Sequence, residues 1–424
     1  MLNWIEFTSF CVVLLAIQKL AHCDSNQVRG SHIYRFQIPE KSFESVTHSL
    51  RKDEADGRYE ILHISRKPNA FLDILGPPSF ITGFSKLIHE HNIQTKIIDN
   101  NVERSIRRFK AQNDHAAGRK RFKRSAKKLM SHDFYMQFHE MEAVLKIADQ
   151  QHEYASLEEM GRTAENRSLW LLKISQDPTL PIIWIDAGIH AREWISSATA
   201  FYTIDKLLSK DGKHLLRKYQ FYIAPNVNPD GYVYSYTRDR LWRKNRSKND
   251  RNNCPGTDIN RNFPYKWGLK GAADDECTGS YRGKSAADQL ETQHLIKKLT
   301  SIPNQTKLFL TLHSYGQMIL MPYGYESGAR PTNFEELKRI ALKLVFKLWG
   351  KHNTIYSTGA PTDLLYPASG GSFDFTCGTL KIPYSFAIEL PDTGTYGFLL
   401  PPSFIVQIGE QIWDALQVFV EEMK

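Results

Sequence analysis

Four stretches of strand length, residues 168–174, 181–186, 308–312 and 384–388, are almost unbroken apolar runs. A strand with one wet face alternates apolar and polar positions, whereas a strand packed on both faces has no use for the polar ones. Residues 194–208 and 404–423 lie among these runs with helical spacing, and residues 221–227 read as a further strand. Such a chain folds as an α/β protein, with a largely parallel or mixed sheet covered by helices on both sides. Ligands in such sheets gather beyond the carboxyl ends of the strands. Those ends are therefore the first place to look for chemistry.

His190 and Glu193 follow the 181–186 run in Asp186-Ala187-Gly188-Ile189-His190-Ala191-Arg192-Glu193-Trp194. His313 ends the 308–312 run, and Glu389 ends the 384–388 run. Three strands thus bring two imidazoles and two carboxylates to one edge of one sheet. Two His and a Glu are a common catalytic zinc set, with a second carboxylate free to act as a base. An H-x-x-E pair alone is a weak signal, since His139 and Glu142 repeat it with no strand before them. That pair reads as a solvated helix face.

The 424 residues exceed the usual single domain. Residues 1–23 read as a signal peptide: an apolar run too short to span a membrane, followed by Ala21-His22-Cys23. A block over 24–118 mixes short strands (34–38, 59–64, 95–98) with a helix at 79–89 and shows no catalytic cluster. Between Arg107 and Lys128 stand ten Lys or Arg and one acid, a local net of +9 that equals the charge of the whole chain. A nucleic-acid-binding face is therefore not expected. Within that stretch, Gly118-Arg119-Lys120-Arg121-Phe122-Lys123-Arg124-Ser125 is expected to be extended and open to a protease that cuts at basic sites. Of the cysteines beyond the signal, Cys254 and Cys277 make the simplest bridge, leaving Cys377 spare. Sequons at Asn166, Asn245 and Asn304 suit an exported glycoprotein.

Motifs along residues 125–424 resemble the zinc metallocarboxypeptidases of the pancreatic carboxypeptidase A and B branch. The H-x-x-E segment around His190 is the first. Asn228-Pro229-Asp230-Gly231-Tyr232, Arg240-Leu241-Trp242-Arg243-Lys244, Asp258-Ile259-Asn260-Arg261-Asn262, His313-Ser314-Tyr315, Tyr366-Pro367-Ala368-Ser369-Gly370-Gly371 and Glu389-Leu390 follow in order. The resemblance implies a mixed, mostly parallel eight-stranded sheet flanked by helices over 125–424. It also implies a small antiparallel α+β activation domain over 24–124 that covers the cleft. One Zn2+ would be held by His190, Glu193 and His313. Glu389 would be the general base toward the attacking water, Arg243 would hold the oxyanion, and Asp258 would fix the tautomer of His190. Asn260, Arg261 and Tyr366 would grip a free terminal carboxylate. Arg192, Arg240, Ser314, Tyr315 and Phe398 would line the next subsites, and Cys254–Cys277 matches the branch's bridge.

The residue removed depends on the floor of the terminal pocket. Counting forward from Tyr366 places Phe373 there, while counting back from Glu389 places Asp374 there. With the Gly370-Gly371 motif intact the forward count is preferred, and substrates with uncharged apolar or aromatic ends are expected. The partners expected are peptide or protein C-termini, the chain's own propeptide as inhibitor and a basic-site activating protease, with no nucleic acid and no membrane. The product is expected to be a secreted monomer. An inert metal-binding relative would have lost Glu389, Arg243 or Arg261, and all three stand. A polyanion-binding role would be confined to residues 107–128.

Overall fold

The computed structural model describes residues 28–54, 57–66, 70–122, 130–251 and 254–424. The signal peptide expected over 1–23 lies outside these residues, as do Lys123, Arg124 and Ser125 of the basic segment. The amino-terminal part is a four-stranded antiparallel sheet of β1 (His32–Gln37), β2 (Glu60–Ser65), β3 (Phe71–Gly76) and β4 (Gln94–Asp99), in the order β2-β3-β1-β4. Tyr34 and Phe36 alternate inward from β1 and meet Phe43, Val46 and Leu50 of helix α1 (Phe43–Glu54). The helix expected at 79–89 is broken at Phe84 into Phe80–Gly83 and Ser85–Glu90.

Helix α2 (Val102–Phe122) carries the chain out of this unit. Its course corrects the expectation of an extended basic segment, because residues 118–122 are helical. Ala, Arg, Lys and Gln are good helix formers, and cations are favoured in a last turn. Val102, Phe109, Asn113 and Ala116 bury one side of the helix and anchor it.

The larger part is an eight-stranded mixed sheet. Its strands are β5 (Ala155–Arg162), β6 (Ser168–Ile174), β7 (Ile182–Ala187), β8 (Gln220–Ala224), β9 (Thr306–Ser314), β10 (Met318–Leu320), β11 (Ser357–Gly359) and β12 (Tyr384–Leu390). Their order is β11-β10-β12-β9-β7-β8-β6-β5, with β12, β9, β7 and β8 mutually parallel at the centre. The unbroken apolar runs follow from two cores. Ile183, Ile185, Leu308, Leu310, Leu312, Phe386 and Ile388 point to one face. Ile182, Trp184, Phe309 and Ala387 point to the other. Each fully buried aliphatic side chain contributes about 1.5–3 kcal/mol. Around the sheet pack α3 (Phe138–Gln151), α4 (Trp194–Leu208), α5 (Pro229–Thr237), α6 (Leu290–Thr300), α7 (Phe334–His352), α8 (Ser372–Gly378) and α9 (Ile405–Glu422). His139 and Glu142 lie on α3, far in sequence from the sheet's carboxyl edge; Glu142 accepts from Trp170 Nε1 at 2.9 Å.

Cys254 and Cys277 form a disulfide with Cα atoms 5.0 Å apart, and Cys377 is free and buried. Asn166 and Asn304 are exposed, but Asn245 is fully buried. Its amide donates to Gln289 Oε1 at 3.0 Å and to Glu291 Oε2 at 2.9 Å, which removes this sequon from the accessible set.

Candidate active site

Strand β7 ends at Ala187, and Gly188 turns the chain at φ 71°, where a Cβ would lie 2.6 Å from Ser197 Oγ. That turn drops His190 below the strand end and leaves Glu193 at the start of α4. On the adjoining strands, His313 of β9 and Glu389 of β12 sit opposite each other in register. The four groups therefore share the carboxyl edge of neighbouring parallel strands.

His190, Glu193 and His313 are buried, and one ligand atom from each lies within 4.8 Å of the others. His190 Nδ1 is 2.7 Å from Glu193 Oε1, His313 Nδ1 is 3.2 Å from Glu193 Oε2, and the two Nδ1 atoms are 3.3 Å apart. Two imidazole nitrogens and a carboxylate converging in a buried site form a donor set that suits Zn2+. The far nitrogens point to partners of their own. His190 Nε2 is 3.2 Å from Asp258 Oδ1, and His313 Nε2 is 3.3 Å from Thr311 Oγ1. A partner on the far nitrogen fixes which nitrogen is free to ligate. Ser314 N also donates to Glu193 Oε2 at 3.1 Å and orients that carboxylate.

Arg243 donates to Asp258 Oδ2 through Nε (3.1 Å) and Nη2 (2.8 Å). Burial alone would raise the Asp258 carboxyl, yet Arg243, Arg261 and His190 hold it well below the usual carboxylate range. Burial pushes Glu389 the other way, up to about 7, against the pull of His313. Burial and neighbouring charge thus push these two carboxyls in opposite directions.

The Ile259–Arg261 turn is capped by Asp258, whose Oδ1 accepts from Asn260 N at 3.0 Å. Arg261 is held by Gly271 O (2.9 Å from Nε) and Asn260 O (2.9 Å from Nη1), and its Nη2 donates to Tyr366 Oη at 3.2 Å. Asn260 Oδ1 accepts from Ser372 N at 2.9 Å, so its amide NH2 is the end left to donate. Gly370, at φ 73°, lies so close to this turn that a Cβ would fall 2.3 Å from Arg261 O. The Gly-Gly loop and the Arg261 turn are therefore one rigid assembly. Phe373 follows in α8, buried among apolar side chains of the second core. Asp374 faces elsewhere: it accepts from Gly324 N (3.0 and 2.9 Å) and Tyr325 N (3.2 Å), and burial lifts its pKa to about 7.

The zinc carboxypeptidase family profile matches residues 141–415. The chain belongs to the zinc carboxypeptidase family. A second profile, the carboxypeptidase activation peptide, matches residues 42–108. Carboxypeptidase A2 of Mus musculus is 42% identical over 270 residues, which is 62% of this chain and 64% of the relative, just under two-thirds of its length. Carboxypeptidase B of Astacus astacus is 37% identical over 68% of this chain and 97% of the relative. The crystal structure of carboxypeptidase A from Helicoverpa armigera aligns with a TM-score of 0.83 at 27% identity, covering 93% of this chain and 98% of that one.

The residues expected to line the next subsites touch the amino-terminal unit. Arg192 donates to Glu60 Oε1 and to Leu62 O (3.2 Å), and its guanidinium lies 4.3 Å over the Phe398 ring. Tyr315 donates to Asp73 Oδ2 at 2.8 Å and stacks on His63 at 4.4 Å. Arg51 lies 4.0 Å over the ring of Tyr366. Ser314 Oγ is buried without a partner among the described residues. Arg240 is also covered by the amino-terminal segment, through Phe109 of α2. It is buried in the wall between Trp194 (3.9 Å) and Phe109 (4.8 Å), and Nη1 donates to Arg192 O at 2.8 Å. Sequence reasoning missed Arg51, Glu60, His63, Asp73 and Thr311. Only Thr311 had a signal, because it lies two residues before His313 and so on the same strand face.

Proposed function

We propose that this chain is the precursor of a secreted metallocarboxypeptidase that removes the last residue of peptides and favours uncharged apolar or aromatic ends. Three domains follow: a signal over 1–23, a latency-conferring activation segment over 24–124, and a catalytic domain over 125–424. The observation that carries the reading is the meeting of His190, Glu193 and His313 beside Glu389, with Arg261 hydrogen-bonded to Tyr366 on the same side of the sheet.

His190, Glu193 and His313 hold one Zn2+, which supplies Lewis acidity toward a carbonyl or a water at neutral pH. Asn260, Arg261 and Tyr366 bind the terminal carboxylate, which an internal peptide bond lacks. Glu389 takes the proton from the attacking water and passes it to the leaving amine nitrogen, a role suited to its raised proton affinity. Arg243 hydrogen-bonds the carbonyl oxygen as negative charge develops there, and Asp258 holds Arg243 and His190 in place. The apolar surroundings of Phe373, with Asp374 committed to the 324–325 backbone, support an apolar terminal pocket. Arg51, Glu60, His63 and Asp73 occupy residues that substrate would use, which supports latency until a basic-site protease cuts within 118–125.

The test is hydrolysis by the processed protein of peptides ending in Phe, Leu or Arg, as free acids and as amides, with and without a zinc chelator. Loss of activity with chelator, restoration by zinc and failure on amides are expected. Equal cleavage of acid and amide would refute the carboxylate clamp. A clear preference for Arg would reassign the pocket floor to Asp374.

A further inference from the structure

The two imidazoles of the metal site are backed differently. Behind His190 stands Asp258, whose charge Arg243 matches through two hydrogen bonds. Behind His313 stands a hydroxyl, Thr311 Oγ1, 3.3 Å from Nε2. His313 Nδ1 faces Glu193 and His190, so its lone pair is the one left for a metal and the ring proton belongs on Nε2. Nε2–H then donates to Thr311 Oγ1, and the hydroxyl needs an acceptor for its own proton. Thr311 has no other side-chain hydrogen bond among the described residues. Asp186 stands opposite Thr311 in register, on the adjoining strand β7. It is 2% exposed. Its Oδ2 accepts from Trp184 Nε1 at 2.9 Å, while Oδ1 is buried and takes no hydrogen bond of ordinary geometry. Burial lifts this carboxyl to about 6, and the Thr311 hydroxyl stands close enough to act against that rise, as does Trp184. Asp186 pairs with no Lys or Arg among the described residues. A buried carboxylate without a countercharge is costly, and buried charges are ordinarily paired or serve metals.

We propose that Asp186 is a positioning residue for the metal site: through the Thr311 hydroxyl it holds His313 with Nδ1 free to ligate, and its countercharge is the ion. The proposal rests on the reading that His190, Glu193 and His313 hold Zn2+. The competing role is structural, with Asp186 serving only the indole of Trp184. Asp186→Asn separates the two. An Asn side chain keeps an oxygen for Trp184 Nε1 but turns an NH2 toward Thr311. The hydroxyl then accepts from Asn and donates to His313 Nε2, which moves the ring proton to Nδ1 and blocks ligation. The same change removes a buried charge that has no side-chain partner, so it relieves the metal-free protein. Were Asp186 only a support for Trp184, the substitution would act alike on the metal-free and the zinc-loaded forms.

The test is the zinc affinity of the intact precursor, read by competition with a chromophoric chelator, together with melting temperatures with and without zinc. Asp186→Asn and Thr311→Val should each weaken zinc binding by about 10–100-fold. The double variant should bind no more weakly than the worse single one, because the two residues act as one line. Thr311→Ser, which keeps the hydroxyl, should bind zinc as wild type does. The metal-free melting temperature of Asp186→Asn should equal or exceed that of wild type, and the increment that zinc adds should shrink. Thr311→Val, isosteric and suited to a strand, carries the test independently of how well Asp186→Asn folds. Wild-type zinc affinity in both single variants, or a lowered metal-free melting temperature in Asp186→Asn with zinc affinity intact, would overturn the proposal and leave Asp186 to Trp184. A wild-type precursor that binds no zinc would overturn the metal site itself, a result distinct from either.

Discussion

Replacing Glu60 by Ala tests how the amino-terminal unit is held over the cleft. The Arg192 side chain is 1% exposed, and Glu60, at 23%, is its acidic partner. Its other acceptors are the carbonyls of Leu62 and Leu241, each 3.2 Å away. Removing one partner of a buried pair costs about 3–5 kcal/mol, because the other charge stays buried without compensation. Partial exposure of Glu60 lets water screen the pair and lowers the figure to roughly 2 kcal/mol. That penalty applies only while the unit is docked, since release returns Arg192 to water. The closed-to-open equilibrium should therefore shift about 30-fold toward open. The assay is hydrolysis of a short peptide by intact precursor, with Glu60→Gln as the variant that keeps a neutral acceptor. Glu60→Ala should raise precursor activity strongly and Glu60→Gln less, with processed enzymes unchanged. A Glu60→Ala precursor as inactive as wild type, with processed activity intact, would refute the reasoning.

Phe373→Asp should place an anion in the terminal pocket and invert the preference between Arg-ended and Phe-ended peptides by about 100-fold in kcat/KM, read from paired kinetics. His63 titrates near 6.5 when free and is held down to about 4 by burial, with Asp73, Arg35, Arg192 and Glu193 acting on it. Its neutral form therefore favours docking. That stabilisation is whole above pH ~6.5 and is lost progressively as pH falls toward 4, by about 2 kcal/mol after allowance for partial exposure. Small-angle scattering of the precursor should show opening over that window, and His63→Phe should abolish that component. Mass spectrometry of the protein expressed through a eukaryotic secretory pathway should find glycan at Asn166 and Asn304 but not at Asn245, whose amide is spent on Gln289 and Glu291.

The central strands could be read because burial on both faces leaves no polar interruption, and residues 168–174 and 194–208 coincide with β6 and α4. Strands β10 and β11 have three residues each and owe their existence to pairing with β12 and with each other, which no local pattern encodes. Strand β3 was hidden by Asp73, an acid inside an apolar run, buried because Arg35 grips it at 2.7 Å. In α2 the run of like charge was weighed above the helix propensity of the same residues. His190, Glu193, His313 and Glu389 could be placed because strand ends mark them. Glu60, His63 and Asp73 could not, because their significance depends on how one folded unit sits on another.

Cutting the chain at the basic segment would break none of the contacts just described. Helix α2 would also stay anchored: Asn113 donates to Tyr135 O (3.1 Å) and Tyr236 Oη (2.9 Å) and accepts from Tyr135 N (2.7 Å). Phe109 is wedged between the rings of Tyr135 and Trp194, at 5.7 and 5.5 Å. What a cut removes is the tether, which holds the two parts at an effective concentration on the order of millimolar. Once the tether is gone, docking is bimolecular and obeys dilution. Nicked but undiluted protein should therefore remain largely latent, gaining activity as total concentration falls below the docking Kd. Asn113→Ala, which leaves Tyr135 N–H without its acceptor while the Tyr236 hydroxyl still donates to Tyr135 O, should raise that Kd by about 10-fold. Activity per molecule measured across a dilution series of nicked protein decides the matter. Full activity immediately after the cut, at every concentration, would mean that the tether rather than these contacts keeps the site closed.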